Sequence, residues 1–277
     1  MHEVLLLRVR QMLALRRSPE EALAALRQSF EAFVARFFPE GPLPYPLELK
    51  RQHSARVASL ALRIARELGW QGWPQAAAEG AGWLHDLGRF PQFARFQTFQ
   101  DHRSLDHGEE GFRILEGEAF LDGWPPEERL DVASAVRFHN KRRIPEECPE
   151  GHLPLARLVR DADKIDVFEV VQDAIDEGRT GELLSGLTPD LAPSPGFLAE
   201  LSPGSPSPAY GLLRSLGDFL LLQLSWVYDM NYAPSFRLLR SSGVLDRMTS
   251  RLPASLAVQR FIRAGLRHVV QRAEETS

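Results

Sequence analysis

Trp83-Leu84-His85-Asp86-Leu87-Gly88-Arg89 decides the reading of this chain, because it sets two metal-capable side chains next to each other at the end of an apolar helix. The helix leading into it, Gln75 to Leu84, is made largely of small residues (AAAEGAGWL), which let neighbouring helices approach closely and suit the centre of a bundle. A carboxylate at the C-terminal end of a helix opposes the helix dipole, so Asp86 calls for a reason beyond local stability. Two adjacent polar side chains at one helix end are not expected both to face an apolar core. At least one is therefore expected to open onto a cleft.

Before this stretch, residues 47–68 form a predicted helix with an apolar stripe of Val57, Leu60, Ile64 and Leu68, and His53 lies one turn before Val57 on its edge. Residues 2–16 and 19–37 carry apolar positions three and four apart, and Ser18-Pro19-Glu20-Glu21 between them supplies an N-cap, a first-turn proline and first-turn acids. They predict an N-terminal helical hairpin over 1–38, ended by the proline-rich run 39–46.

After it, Phe90 to Asp106 lacks clean periodicity and predicts an irregular loop, with at most a short helical piece, across the mouth of the cleft. Phe90, Phe93, Phe96 and Phe99 repeat every three residues there and read as packing rather than as a base-stacking platform. His107 opens a helix, another over 127–138 leads into Phe138-His139-Asn140-Lys141-Arg142-Arg143, and a loop over 145–154 precedes a helix from Leu155 to Ile175. A Pro/Ser/Gly-rich loop, 186–208, separates these from helices near 209–229, 234–248 and 255–273. No alternation characteristic of strands persists beyond four residues. The prediction is a single all-α domain over 1–277, with its core at about 47–180 and the C-terminal helices of 209–277 packing on that core.

Composition bounds the function. At 277 residues, with 44% hydrophobic, 9% aromatic and 25% charged residues, the chain falls in the ordinary globular range and can bury a core without staples. Net charge of −4 gives no sign of nucleic-acid binding. The single cysteine, Cys148, excludes an internal disulfide and a cysteine-rich zinc site, and fits a reducing cytoplasm. The opening MHEVLLLRVRQMLALRR is interrupted by charge and reads as helix rather than as a secretory signal, and the Phe219–Leu222 run is far short of a membrane span.

The residues that carry chemistry are His53, His85, Asp86, His107, His139 and Asp163, each at a helix end or edge. Imidazoles and carboxylates without thiolate suit Mn, Fe, Ni, Zn or Mg as divalent ions. Three histidines and two aspartates can hold two ions with one carboxylate between them, and fewer ligands hold one. Each residue also has a plainer reading. A lone histidine is more often a hydrogen-bonded core residue, His107 follows a good N-cap in Asp106, and His139 sits in a basic helix end. Asp161, Asp163 and Asp166 read as well as a solvated acidic face paired with Arg160 and Lys164. Taken together, the plain readings leave the recurrence of these residue types at successive helix ends unexplained.

The order His53…His85-Asp86…Asp163 resembles the HD-domain superfamily of metal-dependent phosphohydrolases over about residues 53–168. Ala162-Asp163-Lys164-Ile165 is similar to its closing segment, which selects Asp163 over Asp161 as a ligand. His107-Gly108-Glu109-Glu110-Gly111-Phe112-Arg113-Ile114-Leu115 is similar to the third-histidine helix of the HD-GYP phosphodiesterase branch, and His139 falls where that branch has its next histidine. Asn140 replaces that branch's second consecutive histidine and no Gly-Tyr-Pro triplet follows, so specificity for cyclic dinucleotides is not implied. Arg89 stands where related branches carry Glu or Lys, which points to phosphate contact rather than proton transfer.

The resemblance implies one or two divalent ions on His53, His85, Asp86 and Asp163, with His107 and His139 completing a second position and Asp86 as the bridge. It implies a phosphohydrolase acting on a nucleotide or another small phosphorylated metabolite. Asp86, His107, His139, Arg89 and Lys141 are then the catalytic candidates, and Arg89, Arg103, Lys141, Arg142 and Lys164 the phosphate contacts. A catalytically silent nucleotide- or metal-binding regulator is the alternative. Neither a membrane nor a nucleic acid is an expected partner, and a homodimer is compatible with the sequence.

Overall fold

The computed structural model describes residues 17–275 apart from 185 and 206, so the predicted helix over 2–16 lies outside the described residues. The fold is all-α, and among the described residues there is no strand, only an isolated bridge between Thr188 and Ser215. No helix of the described residues is long and apolar enough to cross a membrane. The chain divides into two compact units, one ending at Arg160 and the other beginning at Asp161.

In the first unit α1 (Pro19–Ala35) starts in a capping box: the Ser18 hydroxyl accepts from the Glu21 amide and the Glu21 carboxylate accepts from the Ser18 amide. It buries Ala22, Leu26, Phe30, Phe33 and Val34, all on one face. α2 (Tyr45–Glu67) and α3 (Trp73–Leu84) each begin two residues earlier than periodicity predicts, because Pro46 and Pro74 are tolerated in a first turn where no intrahelical donor is needed. α3 is the central helix, buried from Ala76 to Gly82 and again at Leu84, and it packs on α1, on α2 and on α6 (Pro126–Phe138). The small residues do what the sequence suggests: a Cβ on Gly82 would lie 2.5 Å from Ala58 Cα on α2.

The aromatic stretch is more regular than expected. Arg89–Phe96 forms a helix, α4, which ends at Gln97 in the left-handed region (φ 53°), followed by a short 3-10 turn at Asp101–Arg103. A three-residue repeat is close to the helical period, and Phe90 is fully buried against Phe30 and Phe33, with centroids 5.9 and 6.4 Å away. Phe93 and Phe99 pack on each other at 5.0 Å, and Phe96 is exposed. α5 (His107–Gly117) packs on α6, and α7 (Leu153–Asp176) follows a loop that includes a 3-10 turn at Glu150–His152.

In the second unit the remainder of α7 is followed by α8 (Thr180–Leu183), α9 (Pro195–Glu200), α10 (Leu216–Ser225), α11 (Ala233–Ser241), α12 (Val244–Arg251) and α13 (Leu256–Ala273). α9 lies inside the predicted Pro/Ser-rich loop. That loop is held by the buried carboxylate of Asp218, which accepts from the amide and hydroxyl of Ser194 and from the amides of Arg214 and Ser215. The predicted helix near 234–248 is two helices, divided at Gly243, whose φ of 74° suits glycine.

The acidic run on α7 is not a solvated face. Asp161 is fully buried and accepts from the Asn231 amide and side chain and from the Tyr232 amide, and Asp166 is also buried. Lys164 pairs with Asp229 at 2.9 Å. Of the aromatic residues near the C-terminus, Phe236 is fully buried and Trp226 packs on Phe168 and Phe219, as core.

Candidate metal centre

Five of the six predicted ligands belong to the first unit, and all five are buried: His53, His85, Asp86, His107 and His139 are between 0 and 5% exposed. The expectation that His85 or Asp86 opens onto a cleft is corrected here. α3 ends at Leu84, and tight turns (Leu87 amide to Leu84 carbonyl, Arg89 amide to Asp86 carbonyl) let both side chains turn inward, onto other polar groups rather than onto apolar core. Each polar group pairs with another, which removes the objection that adjacent polar residues cannot both be buried.

Asp86 is the centre of the cluster. Its Oδ2 lies 3.6 Å from Nε2 of His53 and 3.6 Å from Nε2 of His85, and its Oδ1 lies 3.4 Å from Nε2 of His107 and 3.6 Å from Nε2 of His139. Within the pairs, His53 and His85 approach at 3.1 Å and His107 and His139 at 3.0 Å, always through Nε2. The helix geometry explains the pairing: His53 comes from α2, His85 caps α3, His107 opens α5 and His139 caps α6. His85, Asp86 and His139 each offer an atom within 4.8 Å of the others.

The tautomers follow from the hydrogen bonds on the outer nitrogens. His85 donates from Nδ1 to the Gly82 carbonyl and His139 from Nδ1 to the Val136 carbonyl, both at 2.8 Å, and His107 Nδ1 donates to the Asp101 carboxylate at 2.7 Å. A carbonyl accepts and never donates, so the proton of the neutral ring is on Nδ1 and the Nε2 lone pair is bare. His107 and His139 thus point two bare nitrogens at each other across 3.0 Å, an arrangement that calls for a cation between them. Bonds of about 2.1 Å to one ion put neighbouring ligand atoms roughly 3.0–3.4 Å apart, close to the separations seen here. The donor set therefore fits a divalent metal ion.

Charges around the cluster are arranged to keep Asp86 ionised. Burial alone would raise its pKa, but the Lys50 ammonium first, and the Arg89 guanidinium, hold it well below the usual carboxylate range. Lys50 Nζ is 2.8 Å from Oδ2 and Arg89 Nε is 3.4 Å from Oδ1. Burial and the neighbouring Arg89 charge push His107 down to about 3, so it is neutral and able to ligate at physiological pH. Asp101 is also held below the ordinary range: burial works against this, but His107 and Arg89 more than offset it.

The predicted phosphate contacts fare differently. Arg89 is 15% exposed, and its Nη1 donates to the Gln92 side chain, the Phe99 carbonyl and Asp101, so it is already occupied as an internal clamp. Lys141 is paired with Asp106. Arg103 and Arg142 are exposed. Asp163 and Lys164 lie on α7 in the second unit.

Several residues of the site were not singled out by sequence. Lys50 lies one helical turn ahead of His53, and that spacing was a usable signal. Asp101 and Gln92 carried none. Asn140 sits on the outer side of His107, 3.3 Å from Nδ1, where it donates to Asp101 and Asp106. The Arg160 guanidinium donates to the carbonyls of His139, Lys141 and Arg142, filling the open acceptors at the end of α6 that carries His139.

Residues 51–167 match the family model described as the HD domain, a range that covers every predicted ligand. No curated protein and no solved structure matches the chain.

Proposed function

Taking residues 51–167 as a member of the HD-domain superfamily, we propose that the chain is a metal-dependent phosphohydrolase acting on a phosphoester of a nucleotide or a related small phosphorylated metabolite. The observation that carries this reading is Asp86 with one carboxylate oxygen toward His53 and His85 and the other toward His107 and His139. Divalent ions, when bound, supply Lewis acidity that brings a water's pKa toward neutrality and offsets charge on phosphoryl oxygens.

His53, His85 and Asp86, with Asp163 added on the strength of the family match, would hold one ion. Asp86, His107 and His139 would hold the other. If only one ion binds, at His53, His85 and Asp86, the bare Nε2 atoms of His107 and His139 are left to accept a proton from the attacking water. Arg89 and Lys50 set the charge and orientation of Asp86. Phosphate contact falls to Arg103, Arg142 and Lys141.

The burial of all five first-unit ligands favours one other reading, a metal-bound protein that does not turn over. A panel of phosphomonoesters, nucleoside triphosphates and cyclic and linear dinucleotides, with and without Mn²⁺, separates the two. Turnover of at least one class that depends on added metal and is abolished by chelator is the expected result. Stoichiometric metal with no turnover of any class would replace the enzyme reading with the regulator.

A further inference from the structure

The histidines of the cluster are not supported alike. His85 and His139 donate Nδ1–H to neutral backbone carbonyls, whereas His107 donates to a carboxylate, Asp101, at 2.7 Å. Asp101 is fixed in turn: its Oδ1 accepts from Arg89 Nη1 at 2.8 Å and from Gln92 Nε2 at 2.9 Å, and its Oδ2 accepts from Asn140 Nδ2 at 3.1 Å. Gln92 is itself fully buried and tied to Ser104 and Leu105, so the carboxylate has little freedom to turn away. An anion on the outer nitrogen fixes the ring's orientation and makes its inner nitrogen a better donor to a metal.

The two faces of Asp86 also differ. Oδ2, on the His53 and His85 side, has the Lys50 ammonium at 2.8 Å, which competes with any cation for that oxygen. The nearest side-chain cation to Oδ1 is the Arg89 Nε at 3.4 Å, and Arg89 is also engaged by Asp101.

We propose that Asp101 is a positioning residue for metal binding, acting through His107 on the ion position at the His107–His139 side of Asp86. The proposal rests on the metal reading above.

Calorimetric titration of the metal-stripped full chain with Mn²⁺ tests it. Asp101→Asn is expected to weaken one of two ions by about 10- to 100-fold, the usual loss when the outer partner of a metal-bound histidine is removed. The weakened ion is identified by two backgrounds. In His53→Ala, which keeps the His107–His139 side, Asp101→Asn is expected to cause the same loss, while in His139→Ala it changes affinity by no more than about twofold, as for uncoupled sites.

Equal losses in both backgrounds would mean that Asp101 acts through the fold at large, and no loss in His53→Ala would mean that it does not act on His107; either overturns the proposal. Should Asp101→Asn not fold, Gln92→Met, which removes one of the donors holding Asp101, carries the test, with a smaller loss confined to the same background. A wild-type chain that binds no ion would overturn the metal reading itself, and this inference with it.

Discussion

Asp86→Ala is expected to release both ions together and to lower metal-dependent turnover by ~10²–10³-fold or more, the scale lost when a single charge-stabilising group is removed from an active site. The reason is the position of the carboxylate between two histidine pairs, each of its oxygens within 3.4 to 3.6 Å of two Nε2 atoms. No histidine in the cluster has this double role, so loss of any one of them should spare one ion. Asp86→Asn, which preserves shape and removes the charge, separates this from a packing effect: it should lose both ions while melting close to the temperature of the metal-stripped wild type. Metal content per chain, measured after dialysis, checks both variants. Wild-type turnover in Asp86→Ala would sink the catalytic account.

Gly88→Ala is expected to be the most damaging single methyl in the first unit. A Cβ there would sit 2.1 Å from the His107 carbonyl oxygen, 2.9 Å from its carbon and 3.0 Å from the Gly111 amide nitrogen, all backbone atoms. No side-chain rotation relieves such a contact, so the turn after α3 and the start of α5 must separate. The cost is about 3 kcal/mol or more, the upper part of the range for overpacking, and a melting point lower by roughly 5–10 °C for a chain of this size. The two segments that separate carry Asp86 and His107, so the variant should also bind metal less well at temperatures where it is folded. Gly117→Ala, at the end of the same α5, is the control: its Cβ would meet nothing within 4 Å, and thermal denaturation should show a change below about 1 kcal/mol.

The all-α fold was legible because helix periodicity, proline placement and capping residues agree along most of the chain. That His53, His85, Asp86, His107 and His139 belong together was legible by residue type, because metal-capable side chains recur at successive helix ends or edges. What escaped the sequence were pairings between distant positions. Lys50 and Asp86 are 36 residues apart, and Arg160 reaches the His139 carbonyl across 21. Neither contact leaves a periodic trace.

Arg89 has a role that its identity did not suggest. At the start of α4 its Nη1 donates to Asp101, Gln92 and the Phe99 carbonyl. Its Nε also lies 3.4 Å from Asp86 Oδ1, where it helps to position that carboxylate. The burial of Asp161 was not legible either, because a buried carboxylate is stable only where backbone amides converge, and the amides of Asn231 and Tyr232 come from 70 and 71 residues away.

The most direct test of the central claim is anomalous diffraction from crystals of the full chain grown with Mn²⁺. Two peaks about 3.5–4 Å apart, one on each side of Asp86, with His53 and His85 nearest one and His107 and His139 nearest the other, are the predicted result. No peak within reach of Asp86, or ions bound only by residues outside these five, would contradict it.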